Sequence, residues 1–424
     1  MRRSVPLFAG LAVLAIANAL NAQPGPPPPD PDIQRILLDI VPGRIQRSIF
    51  VLASFHTRNT FSDPQPSGDG IGGASAWIQA EFKRVAAASN GRLRVDVDEF
   101  LQPPGAPGIP SAVKIVNIAA TLPGTHPDST GRIYVIAAHY DSRASDPLDV
   151  SSPAPGADDD ASGVAAVLEL ARVMSAYEFP ATIVFLTVAG EEQGNAGSAH
   201  WAQQAREHGM DIAAMFDESA IGNTHAADDT IDRSSVNLFA GGDENDAPAR
   251  ELARAVKDIA SRYAFPIGIH VSYRPDSIRG GGDHVPFLER GYPAVRFSEA
   301  TGNPHHRYQD DRTDFIDFAY VADVARMNAV VLAELAHAPA SPRKVAIDSS
   351  ESGVVLRWTT VVGTNLAGYR VVWRDSVAPF WEHSLDLPPN AASATLPHLS
   401  RDTTIFGLEA FDSAGHVSPA TLAQ

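Results

Sequence analysis

The sequence contains no cysteine. That absence excludes disulfides, excludes a lipid anchor on an N-terminal cysteine, and leaves His, Asp and Glu as the side chains on which a metal site could rest. Basic charge is also short. Thirty-three Lys and Arg stand against 50 Asp and Glu, for a net charge of -17 and a pI near 5.2. Nucleic acids and anionic membranes are bound by clustered cations, so neither is expected as a partner. A bilayer-spanning run is missing too, because the apolar stretch from Leu7 to Ala17 is too short to cross. With Arg2 and Arg3 before it and small residues at Ala17, Ala19 and Ala22, that stretch reads as a signal peptide over residues 1–22. Cleavage is expected after Ala19 or Ala22, and the mature chain is expected to be exported, periplasmic or extracellular.

What is present suits a globular protein. Hydrophobic residues make up 44% and charged residues 20% of 424 positions, enough for a sizeable core and too long for one ordinary domain. Residues 23–32 form a proline-rich, extended spacer. From Ile33 to about Phe100 the pattern is mainly helical, with a second amphipathic stretch from Ala74 to Ala88. Strand-type runs then alternate with a helix: Ile133 to Ala138, Thr182 to Val188 and Asp211 to Phe216 as strands, Gly163 to Ala176 as an Ala-rich helix. Such alternation implies an α/β unit over 33–337 with a mostly parallel sheet covered by helices. Past His337 the helical pattern stops. Short β-type runs at Val354 to Thr359, Gly368 to Trp373, Ala394 to Leu399 and Thr404 to Phe411 imply an all-β sandwich over 341–424.

In an open parallel sheet, ligands gather at the C-terminal ends of the strands. The unusual polar residues lie there. His139-Tyr140-Asp141 follows the first strand run. Gly156-Ala157-Asp158-Asp159-Asp160-Ala161-Ser162-Gly163 opens the Ala-rich helix, and Gly190-Glu191-Glu192 follows the next strand. Asp283-His284 and His305-His306 occupy later Gly- or Pro-rich loops. Each has a bland reading. A lone His is usually hydrogen-bonded structure, Asp at a helix start caps it, and paired Glu is usually solvated surface. Their common placement favours a site, and imidazole with carboxylates suits zinc, with a spare Glu as general base.

These motifs resemble metallopeptidase family 28, the co-catalytic zinc aminopeptidases. The likeness rests on H-Y-D at His139, G-A-D-D-D-A-S-G at Gly156, G-E-E at Gly190, G-G-D-H-V-P-F at Gly281, H-x-x-x-D from His306 to Asp310, and the early segment from Leu52 to Thr60. The resemblance implies a zinc-exopeptidase-like mixed sheet and two Zn2+ ions. It implies His139 as ligand of the first zinc and Asp141 as the group orienting it. Asp159 would bridge the ions, Glu192 and His306 would bind the second, and Glu191 would be the general base that deprotonates the attacking water. Peptides with free N-termini are the implied substrates. One position departs: where the family carries a ligand Asp, this chain has Ser219, a poor zinc ligand. Asp217, two residues earlier on the same strand face, is the substitute expected there, and the first site is expected to be weak or empty. The tail resembles a fibronectin type III domain, with Trp358 as a core aromatic and no partner that the sequence names. The alternatives are a glutaminyl cyclase-like or carboxypeptidase activity on the same scaffold, or a catalytically impaired binding protein. Retention of both Glu191 and Glu192 speaks against the last.

Overall fold

The structure is a computed structural model that describes residues 28–106, 108–241, 247–263, 265–274, 281–305, 309–350, 353–361, 363 and 365–424. The proposed signal segment and His306 lie outside the described residues. Three helices open the chain: α1 (Pro31–Leu38), α2 (Pro42–Ser54) and α3 (Ile71–Ala88). Pro31 and Pro42 stand at first-turn positions, where a missing N–H costs nothing, and Asp30 caps α1 by accepting from Asp32 N–H. The helical expectation for 33–100 fails at its end. Strand β1 (Arg94–Gln102) pairs antiparallel with β2 (Val113–Leu122). The RVDVDEFLQ segment of β1 alternates at period two, with a half-exposed edge face, and that alternation overrides the acidic composition.

The chain continues through β3 (Arg132–His139), α4 (Ala161–Met174), β4 (Thr182–Val188), α5 (Ala196–Glu207) and β5 (Asp211–Glu218). It then passes through β6 (Ser235–Phe239), α6 (Pro248–Arg262), β7 (Gly268–Ser272), α7 (His284–Glu289), β8 (Ala294–Glu299) and α8 (Phe318–His337). One eight-stranded mixed sheet results, in the order β1-β2-β4-β3-β5-β8-β6-β7. Its middle, β4-β3-β5-β8, is parallel throughout. These strands read as unbroken apolar runs because helices cover both faces. Helices α4 and α8 are buried along nearly their whole length against one face, and α5 and α7 pack on the other. The C-terminal ends of four parallel strands therefore point the same way, and the loops that leave them meet.

After α8 come β9 (Arg343–Ser350), β10 (Gly353–Thr359), β11 (Leu366–Asp375), β12 (His383–Leu387), β13 (Ser393–Pro397), β14 (Thr404–Asp412) and β15 (Thr421–Leu422). They form two antiparallel sheets, β13-β10-β9 and β12-β11-β14-β15. Trp358 and Tyr369 pack with ring centroids 5.5 Å apart in the core between them. The sandwich docks on α6: Arg254 donates to the Pro379 carbonyl at 2.8 Å and its guanidinium lies over the rings of Tyr273 and Trp381.

Candidate metal centre

His139 ends β3, whose apolar run carries it to the sheet edge, fully buried. Its Nε2 lies 3.1 Å from Oδ1 of Asp159 and 3.9 Å from Oε2 of Glu191. Its Nδ1 faces Asp141, 3.2 Å from the carbonyl and 3.5 Å from Oδ1. The Asp141 carboxylate also accepts the N–H groups of Glu191 (3.3 Å) and Glu192 (3.1 Å) and the Thr60 hydroxyl (3.3 Å). One buried Asp thus fixes both the imidazole and the turn that presents the paired glutamates. Burial disfavours charge on His139, but Glu191, Asp141, Asp159 and Asp160 outweigh it and hold the imidazole well above its ordinary pKa.

The three consecutive Asp residues divide their work. Asp160 caps α4, accepting Gly163 N–H at 3.0 Å, and also accepts the N–H of Ala220 (3.2 Å) and of His139 (3.2 Å). Asp158 accepts Gly222 N–H at 2.7 Å and the Asn303 amide. Asp159 is the member whose carboxylate faces His139. Asp311 accepts the backbone N–H groups of Asp158 and Asp159, each at 3.0 Å, which ties the segment just before Arg312 to the same turn.

Glu191 follows β4 and is buried. The Glu192 side chain is 1% exposed and lies 3.8 Å from Nη1 of Arg143. Asp217, near the end of β5, is fully buried; its Oδ2 lies 3.2 Å from Nδ1 of His284, and its Oδ1 has no hydrogen-bond partner. Ser219 accepts from Nη2 of Arg296 at 3.1 Å, so its hydroxyl is already engaged. On the opposite side of β5, Glu218 is fully buried with both carboxyl oxygens unpartnered, and burial, then Asp217, pushes its pKa well up.

Three residues of the site had no role assigned from the sequence. Asp283 is fully buried, accepts the Ser198 hydroxyl at 2.5 Å through Oδ1, and has no partner at Oδ2. Burial, then Asp217, raises its pKa well above the ordinary value, and Glu191 and His139 also act on it. Asp311 and Arg58 are the others. The Asp283-His284 pair was visible as a motif, yet nothing in the sequence assigned Asp283 a contact. A cavity of about 780 Å³ lies beside this region, lined among others by Asn223, His225, His305, Phe315 and Ile316. His305 is stacked on Phe315 with centroids 3.6 Å apart and paired with Asp310 at 2.6 Å.

Among the described residues, no three metal-binding side chains converge closely enough to hold an ion by themselves. They do supply the His139–Asp159 pair, and buried carboxylate oxygens on Asp217 and Asp283 that no donor satisfies. Uncompensated buried carboxylates are costly, and a divalent cation offsets that cost. Imidazole and carboxylate oxygens are also the donor types zinc accepts. The donor chemistry therefore fits a zinc-type site.

Comparison with known proteins agrees. The chain is 37% identical over 426 residues to a protein of Pyrenophora teres f. teres named probable zinc metalloprotease, covering 93% of this chain and 87% of that one. It is also 37% identical to a probable zinc metalloprotease of Leptosphaeria maculans, over 93% of this chain and 97% of the relative. Its fold is like that of the LapA aminopeptidase of Legionella pneumophila, with a TM-score of 0.56, 22% identity, and coverage of 72% of this chain and 74% of that one. It is likewise similar to a glutaminyl cyclase of Porphyromonas gingivalis, with a TM-score of 0.52, 19% identity, and coverage of 69% and 98%. Residues 117–332, which carry His139, the triple Asp, Glu191 and Glu192, match Peptidase family M28, and the chain belongs to that family.

Proposed function

We propose that this peptidase is a zinc-dependent aminopeptidase that removes N-terminal residues from peptides. The observation that carries the reading is His139, set between Asp159 and Asp141 with the Glu191 carboxylate 3.9 Å away. On this reading His139, Asp159, Glu192 and His306 hold zinc, and Asp217, with its free Oδ1, takes the place that Ser219 leaves. Zinc, when bound, acidifies water and polarises a carbonyl. Asp141 orients His139 and holds the Glu191–Glu192 turn. Glu191 takes the proton of the attacking water and returns it to the departing amine. Two ions are proposed, the one at His139 the weaker.

The engaged Ser219 hydroxyl favours one second reading, a single-zinc enzyme of the glutaminyl cyclase kind, in which the substrate's own amine attacks. Aminoacyl amides set against peptides with N-terminal Gln decide the matter. Release of free amino acids supports the aminopeptidase, and pyroglutamate formation without hydrolysis overturns it. Export is proposed from Arg2, Arg3 and the apolar run that follows them. The reading of the tail as fibronectin type III-like is supported by its three-plus-four strand arrangement, β13-β10-β9 against β12-β11-β14-β15.

A further inference from the structure

The site is assembled from loops that cannot pair with one another by regular secondary structure. His139 is the last residue of β3, the loop that follows it carries Asp141, and the loop before α4 carries Asp158 to Asp160. Buried carbonyls left without donors in such loops are costly. Between the two loops lies the side chain of Arg58, on the segment that follows α2, with no exposure to solvent. Its Nε donates to the Tyr140 carbonyl at 2.7 Å, Nη1 to the Leu52 carbonyl at 2.9 Å and to the Pro155 carbonyl, and Nη2 to the Gly156 carbonyl at 2.9 Å. The backbone repeats the link: Arg58 N–H donates to Ser142 Oγ at 3.1 Å and Ser142 N–H to the Arg58 carbonyl at 3.2 Å. Gly156 has φ +51°, and a Cβ there would stand 2.8 Å from Nη2, so this glycine leaves room for the guanidinium.

We propose that Arg58 is a positioning residue of the metal centre, a clamp that fixes the distance between His139 and Asp159 by gripping the carbonyl directly after His139 and those of the loop that leads to Asp159. The proposal rests on the zinc reading above. A planar guanidinium with five N–H donors in a rigid fork satisfies these four carbonyls at once, and an ammonium has only three donors. Burial lowers its pKa to about 10, a shift that Asp311, Asp141, Asp160 and Asp159 oppose, so it stays charged and also balances the acidic loops.

The two roles predict opposite signs. Losing only a positive charge near the site should tighten cation binding. Losing the clamp should loosen it. Arg58→Lys keeps the charge and discards the fork; Arg58→Gln discards both. Zinc affinity is read by chelator competition on the full-length protein, together with kcat, KM and thermal stability. Under the proposal both variants bind zinc roughly 10–100-fold more weakly, the scale typical of lost support behind metal ligands. Their kcat falls while KM moves little. Wild-type zinc affinity and kcat in Arg58→Lys, or tighter zinc in Arg58→Gln, overturns it. If neither variant folds, Ser142→Ala decides, because it removes the acceptor of the Arg58 N–H, together with the Ser142 bond to the Ala154 carbonyl at 2.7 Å, and leaves the guanidinium in place; weaker zinc in that variant supports the clamp and unchanged zinc overturns it. Failure of the zinc reading itself shows separately, as a wild-type protein that binds no zinc.

Discussion

Oδ2 of Asp217 lies 3.2 Å from Nδ1 of His284 and accepts the His284 backbone N–H at 3.3 Å, while Oδ1 of the same carboxylate is buried and unsatisfied. Half of the group is fixed, and the other half is the oxygen proposed above to meet a cation. A Cβ at Gly282 would run into Oδ2, so the glycine before Asp283 is what allows this approach. Asp217→Ala is expected to weaken zinc at the His139 position by roughly 10–100-fold. A mild chelator should then strip that ion first. Zinc retention equal to wild type would leave Asp217 as a partner of His284 alone.

Ser219→Asp is the reciprocal experiment. Arg296 Nη2 stands 3.1 Å from Ser219 Oγ, so an introduced carboxylate meets a guanidinium before it meets a metal. The expected outcome is little gain in zinc affinity. A large gain would show that Arg296 yields and that the ordinary family ligand geometry is recoverable.

Glu191→Gln keeps size and hydrogen bonding but removes the base. The Glu191 N–H bond to Asp141 involves backbone, so the turn should survive. Zinc content should stay at the wild-type level while kcat drops roughly 10²–10⁴-fold. Turnover above about a tenth of wild type would remove Glu191 from the base role.

The candidate site was legible in the sequence where its polar residues follow directly on a strand. His139, Glu191 and Asp217 each sit at or just past the end of a parallel strand, so an apolar run followed by a polar cluster marks them. The pairings that complete the site span 85 residues for Ser198 with Asp283, 77 for Arg296 with Ser219 and 82 for Arg58 with Tyr140. Periodicity carries no trace of closures that long. Fold reading failed for a similar reason at the sheet margins. Strand β1 has exposed acidic positions typical of an edge, and β6 and β7 are five residues each, too short to show a period. The buried middle strands were the easy ones.

Removing the sandwich tests the proposed boundary after α8. A chain ending at Ala338 loses the Pro379 carbonyl that accepts from Arg254 Nε and from the Tyr273 hydroxyl, and loses the Trp381 ring. Cation–π contacts of this kind contribute about 0.5–2 kcal/mol each. The truncated protein should melt several degrees lower, yet turn over small substrates at a near-normal rate, since no site residue lies in the sandwich. Loss of small-substrate turnover in a truncation that still folds would place the sandwich within the working site.

The junction between α8, the sandwich and the N-terminal segment makes acid stability testable. His337, the last residue of α8, stacks on His416 with ring centroids 5.0 Å apart and meets Phe179 edge-on at 5.5 Å. His416 is held by Asp412 at 2.8 Å and Asp30 at 3.2 Å, and Glu334 also acts on it. Burial opposes charge on His416, but Asp412, Glu334 and Asp30 raise its pKa above the ordinary value. His337 goes the other way: burial, then the neighbouring His416 charge, lowers it to about 4, with Asp30 and Asp412 only partly opposing. The signs differ accordingly. His416 adds stability at low pH and loses it as pH rises through its raised folded pKa. His337 stays neutral in the fold where the unfolded chain takes a proton, so it costs stability as pH falls from about 6.5 towards 4. His337→Phe keeps the ring contacts and removes that titration. Relative to wild type, the variant should lose less melting temperature between pH 7.5 and pH 5, and differ little at pH 8. The comparison isolates one group, because every other acid-sensitive residue is shared. An identical loss in both proteins would show that His337 takes up its proton in the folded state without penalty, and that the acid response of this junction belongs to the carboxylates around His416 instead.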